Sequence, residues 1–224
     1  MKVSSVEKVV VASSVAVCLL SASAASAADA KKEEVPESGP TATKSILYTQ
    51  GGMGISYVDM ATFNSSDFAV ARAGGAGTMF DAGLGVRLVV FTIGPRLRYH
   101  SLSSFDLWQL NGEVGLHVPV GDWDGHLGLH GGCGFVGRLE ASALPSSLRS
   151  APARDVRITG WDAGLQLGLD RYFGKWFSVG ADVSGDVLVM QRPAVATIDD
   201  PQYGKDGGAI GFAIVGGLHA GVHF

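Results

Sequence analysis

Residues 210–224 read IGFAIVGGLHAGVHF. Counted back from Phe224, one set of alternate positions carries Phe224, Val222, Ala220, Leu218, Gly216, Ile214, Phe212 and Ile210. The other carries His223, Gly221, His219, Gly217, Val215, Ala213 and Gly211. Successive side chains of a strand point to opposite faces. A large apolar face set against a small or polar one is therefore a strand signature.

The same period recurs upstream. At 159–169, Trp161, Ala163, Leu165, Leu167 and Leu169 oppose Gly160, Asp162, Gly164, Gln166, Gly168 and Asp170. At 176–189, Phe177, Val179, Ala181, Val183, Val187 and Val189 oppose Ser178, Gly180, Asp182, Ser184 and Asp186. At 108–118, Trp108, Leu110, Val114, Leu116 and Val118 oppose Gln109, Asn111, Glu113, Gly115 and His117. Segments 126–135, 80–90 and 93–100 behave alike, and 46–58 is the least clean. That makes eight strands. Long connections are expected at about 59–75, 141–155 and 192–207, with 101–105 a shorter member of that set. Short turns are expected at about 119–124 and 172–175. A third lies between 87 and 95, where Gly94-Pro95 is the break signal.

Upstream of the strands lies a different kind of segment. Lys2 and Lys8 precede an apolar run of twelve, VVVASSVAVCLL at 9–20, and then SASAASAADA. A run this short is not a spanning helix, and the small residues fit signal-peptide cleavage after Ala27, with Ala30 as the alternative. A lipidated Cys18 is disfavoured, because Val17 precedes it. Residues 28–44 are polar with two prolines and read as an extended periplasmic leader, so folded structure should begin near Ser45.

Composition narrows the class. Charged residues make up 17% of the 224, well below the usual ~25%, and 32 are glycine. A formal charge of −4 argues against nucleic-acid binding through a basic surface. Cys18 and Cys133 are too few for a disulfide framework, and the latter falls on the apolar face by parity.

Up-and-down strands with alternating long and short connections fit an outer-membrane barrel, with the long loops outside. Lipid offers the backbone no hydrogen-bond partner, so an open sheet edge is excluded there. Ionisable groups would be costly against lipid, so the polar face lines the lumen. Aromatics separate into two groups along the strands. Phe91, Trp123, Tyr172, Phe173, Trp176, Phe177 and Phe224 lie at the turn side, and Tyr57, Phe80, Tyr99, Trp108, Phe135 and Trp161 toward the loop side. Two belts are expected of a membrane barrel.

With its signal peptide, eight amphipathic strands, loop alternation and terminal GLHAGVHF, the chain resembles the small bacterial outer-membrane β-barrels of the OmpA-like or OmpX-like type. The resemblance covers about 45–224. It implies an all-β, eight-stranded antiparallel up-and-down transmembrane β-barrel in the outer membrane of a Gram-negative bacterium. It further implies that Leu218, Ala220, Val222 and Phe224 form the assembly signal read by the barrel-insertion machinery. Periplasmic chaperones, outer-membrane lipid and lipopolysaccharide are the partners it implies.

Eight strands leave an interior that side chains can fill. The lumen face carries Arg87, Arg96 and Arg98 against Asp81, Glu113, Asp162, Asp170, Asp182 and Asp186. Such groups must pair or meet water. They read as a neutralised polar core in preference to an ion or proton pathway. A turn centred on Gly121-Asp122 puts His117 opposite His126 and Glu113 opposite His130. A turn centred on Gly174 puts Asp162 opposite Asp186 and Gln166 opposite Asp182, which calls for a nearby arginine or a protonated carboxyl. His126 and His130 are about 13 Å apart along one strand at ~3.3 Å per residue, too far to chelate together. No metal, cofactor or catalytic set is expected. Ser101, Ser103 and Ser104 near His100 read as a polar loop and not as a hydrolase site. The expected role is structural or surface interaction with a largely closed lumen. A narrow porin-like channel is the alternative. A lipid-acting surface enzyme and a soluble lipocalin-like barrel are further ones.

Overall fold

The computed structural model describes residues 46–64, 68–70, 72–140, 143, 156–195, 201 and 203–224. The expected signal peptide and leader lie outside these residues. The eight strands are β1 (Leu47–Asn64), β2 (Gly74–Leu88), β3 (Phe91–Leu102), β4 (Phe105–Val120), β5 (Trp123–Leu139), β6 (Thr159–Phe173), β7 (Phe177–Arg192) and β8 (Gly207–His223). Each pairs antiparallel with the next, and β8 pairs with β1 to close the barrel. At the seam the Phe224 carbonyl accepts hydrogen bonds from Ile46 N (2.9 Å) and Leu47 N (3.1 Å). Closure leaves no unpaired sheet edge, which alone removes the edge-strand liability.

The faces sort inside out relative to a soluble protein. Ile55, Leu129, Leu167 and Leu218 are exposed on the outside, whereas Arg87, Arg98, Asp124 and Asp186 are buried within. An aromatic row runs around the loop side through paired Phe80, Tyr99, Trp108 and Phe135. At the turn side, Phe91, Trp123, Phe173, Trp176, Phe177 and Phe224 are exposed. Tyr172 does not join them. Its position is even on β6, a lumen parity, and it is buried with its hydroxyl on Arg87.

The expected β4–β5 register holds: His117 pairs with His126 and Glu113 with His130. The β6–β7 register does not. Phe173 pairs with Phe177 around a three-residue turn 174–176, one position beyond the expected centre. Asp162 therefore faces Leu188, Gln166 faces Ser184 and Asp186 faces Gly164. Gly174 supplies the left-handed residue (φ 70°) as the first turn residue, not the middle one. The third short turn is Val89-Val90, inside the expected window but away from its break signal. Gly94 and Pro95 lie within β3. Strands also run further toward the loop side than the alternation indicated. β1 extends to Asn64, β2 starts at Gly74, and β3 and β4 are joined by Ser103-Ser104 alone.

Candidate functional site

The lumen is built by alternate residues of all eight strands, and its composition changes along the axis. The turn end is polar. Arg87 Nη1 donates to Tyr172 Oη (2.7 Å) and lies 2.7 Å from Asp124 Oδ2. His117 Nδ1 is 3.0 Å from the same carboxylate oxygen, and its Nε2 is 3.1 Å from Thr92 Oγ1. His223 Nε2 meets Ser178 Oγ at 2.8 Å. A cavity of about 30 Å³ opens among Arg87, His117, His126, Asp170, Tyr172 and His223, room for one or two waters.

Midway, Arg96 is the hub. Its Nε is 2.8 Å from Glu113 Oε2, and its Nη1 is 3.6 Å from Asp81 and 3.5 Å from Asp182. Nη1 also donates to Gln166 Oε1 (3.1 Å), whose amide in turn donates to Asp182 (2.6 Å). Above it, Arg98 Nη1 reaches across the barrel to Asp186 (3.3 Å) and Ser184 (3.2 Å). Asp186 also bonds His130. The arginine expected beside this carboxylate pair is thus present, although the two carboxylates are not directly opposite.

Glycines make these contacts possible. In register, His130, Gly164 and Asp186 lie side by side on β5, β6 and β7. Asp170, Gly180 and His219 do the same on β6, β7 and β8. Strands are spaced ~4.8 Å apart, so partners two strands apart must meet over the strand between them. A Cβ on Gly164 would overlap Asp186 Oδ1, and one on Gly180 would overlap Asp170 Oδ1. The bare backbone lets imidazole and carboxylate join across it. Asp170 in this way takes His219 (2.6 Å) on one oxygen, and on the other it meets His126 (3.2 Å) of the adjacent strand β5.

Further toward the loops the lumen face turns apolar. Val58, Met60, Leu102, Phe105, Leu107, Ile158, Leu188, Met190, Ala209 and Ala213 form one buried cluster with Phe68, Val195 and Tyr203 from the connections. Arg192 lies beyond it, donating to the Phe68 carbonyl (2.9 Å) with its guanidinium over the Tyr203 ring. This layer is absent from the expected site. Its signal is the lumen parity followed past Gln109 into Leu107 and Phe105, and past Asp186 into Leu188 and Met190.

All nine expected lumen charges face inward. Asp162 differs from the rest: it is buried, and neither carboxylate oxygen has a hydrogen-bond partner. Sequence reading left out Asp124 and the histidine–carboxylate contacts; those of His130 with Asp186 and of His219 with Asp170 depend on which strands lie two apart. Leu218, Ala220, Val222 and Phe224 share the outer face of the last strand. His100 faces the lumen, its Nε2 2.6 Å from Gln109 Oε1, whereas Ser101 lies on the opposite face. Among the described residues no group of three or more His, Cys, Asp or Glu is arranged to hold a metal ion.

No protein-family model matches the chain, and no curated protein matches it. Solved structures do. The Neisserial surface protein A is similar over 80% of this chain and 97% of its own, with a TM-score of 0.54 and 11% identity. The N-terminal barrel of Pseudomonas aeruginosa OprF (TM-score 0.46, 12% identity) covers 80% of this chain and 98% of its own. P. aeruginosa OprG (0.43, 10%) covers 83% and 100%. At such identity the likeness to the Neisserial protein is one of fold, and the fold of this chain is a closed eight-stranded barrel.

Proposed function

We propose that this protein is a non-catalytic outer-membrane barrel of a Gram-negative bacterium, with a structural or surface-interaction role and no conducting pore. The observation that carries the reading is an apolar outside around an inside closed twice, by the Arg96 ion-pair layer and by the apolar layer above it. Dimensions agree with it. Trp123 and Phe135 mark the two aromatic levels on β5. Twelve residues at ~3.3 Å and a tilt of ~40° place them about 30 Å apart along the axis, the thickness of a hydrocarbon core. The outer strand faces meet membrane lipid, including lipopolysaccharide. Leu218, Ala220, Val222 and Phe224 present the insertion machinery with its signal. The strand ends at Asn64, Gly74, Leu139, Thr159, Arg192 and Gly207 face the outside of the cell.

The test is reconstitution into planar bilayers. A membrane with no discrete steps supports the closed barrel. Regular steps whose size changes in Glu113→Gln or Arg96→Met would establish the narrow channel in its place.

A further inference from the structure

Four arginines of the barrel are met by carboxylates. Arg87, Arg96 and Arg98 have theirs in the lumen. Arg138, an exposed guanidinium at the loop end, lies 3.1 Å from Asp106 and 3.2 Å from Glu140. Arg171 on β6 is different. It stands at an odd position between Leu169 and Phe173 and is exposed on the outside with them. From the turn-side strand ends up to the loop-side aromatic level, it is the one charged side chain on the outer wall among the described residues.

Its neighbours are aromatic. The guanidinium carbon lies 5.5 Å from the centre of the Trp123 ring, which belongs to its paired residue on β5, and 5.4 Å from that of Phe173. Val179 pairs with it on β7. Among the described residues no carboxylate forms an ion pair with it and no acceptor takes its N–H groups. That includes Asp122 of the adjoining turn, whose backbone carbonyl accepts from Tyr172 N (2.8 Å). Asp170 and Tyr172, its neighbours in the chain, are buried on the lumen face.

Ring faces attract the cation and leave the N–H edge of its plane free. That edge fits two oxygens of a phosphate. Trp123 marks the turn-side aromatic level, so the guanidinium stands where hydrocarbon gives way to headgroups. A charge costs little at that depth, and the phosphodiester of a phospholipid is the anion found there.

We propose that Arg171 is the centre of a phospholipid-binding site on the turn-end rim, where Trp123 and Phe173 hold its guanidinium against the phosphodiester of one lipid. The proposal rests on the outer-membrane reading above, under which this rim lies in the periplasmic leaflet. The donors address the phosphate and not the group beyond it, so ethanolamine and glycerol headgroups both qualify.

Solid-state NMR on the full chain in vesicles of phosphatidylethanolamine and phosphatidylglycerol, in phosphate-free buffer, tests this. Arginine carries carbon-13 at the guanidinium, and its dephasing by lipid phosphorus is recorded. The expected result is a component with a carbon–phosphorus distance of about 4 Å, as bidentate N–H···O bonds require, that is lost in Arg171→Gln. Trp123→Leu should lower its amplitude about twofold. No such component in the parent, or the same component in Arg171→Gln, overturns the proposal. An unchanged amplitude in Trp123→Leu overturns the part assigned to the ring. If Arg171→Gln does not fold, Arg171→Lys removes the same carbon and gives the same subtraction. Protein that sediments apart from the vesicles overturns the outer-membrane reading itself. Protein that sediments with them and shows no contact overturns the lipid site alone.

Discussion

Arg96 and Gly164 illustrate how much single positions decide here. Among the described residues Arg96 is the one guanidinium within reach of Glu113, Asp81 and Asp182 together. Arg96→Met leaves those carboxylates buried without it and should cost about 3–5 kcal/mol, read as a lower urea midpoint in lipid vesicles. Gly164→Ala places a methyl where Asp186 and His130 meet, and should cost about 1–3 kcal/mol. Gly185→Ala is the control: it faces open space on the outside and should stay within ~0.5 kcal/mol of the parent. That Gly164 lies on the lumen face was legible from alternation. Its task was not, since the residues meeting over it are 56 positions apart in the chain.

At the scale of elements, the β2–β3 hairpin shows where local signals fail. Gly94-Pro95 is a strong breaker pair, yet both residues lie in β3. Pro95 has no N–H to give a ladder, and no β2–β3 pairs occur between Gly83–Arg96 and Val86–Ile93. Its other side pairs with Gly112 of β4, and the strand continues. The turn falls instead on Val89, in the left-handed region at φ 59°. A β-branched residue there is strained, at roughly 1–2 kcal/mol. Val89→Asn should therefore stabilise the barrel by about 1 kcal/mol in urea titration. Arg87 compensates in part, since its Nε donates to the Val89 carbonyl (3.2 Å). The one-residue error at the β6–β7 turn has a similar origin. Gly174 marks the turn but not its length, and Phe173–Phe177 pairing settles it.

For the whole molecule, the decisive property is which face meets lipid. Leu129 lies midway between Trp123 and Phe135 on the outside, and Val120 lies at the turn rim. In a bilayer Leu129→Arg should cost about 2–4 kcal/mol and Val120→Arg at most ~1 kcal/mol. Equal costs at the two depths would contradict the membrane reading. The apolar layer should behave as a packed core: Leu188→Ala is expected to cost about 2–5 kcal/mol. A closed barrel should also migrate differently on SDS gels before and after boiling, and migration unaffected by boiling would argue for a soluble barrel. Period two along eight segments was enough to determine strand number, the inner and outer faces, and one hairpin register, because alternation is a local property of the extended backbone. Closure fixes what lies two strands away, and so tertiary structure alone decided the histidine–carboxylate bridges over Gly164 and Gly180, the contact of Tyr172 with Arg87 and the packing of Phe68 and Tyr203 into the apolar layer near the loops. Those contacts join residues distant in sequence, and their energy depends on an enclosed interior that no single strand possesses.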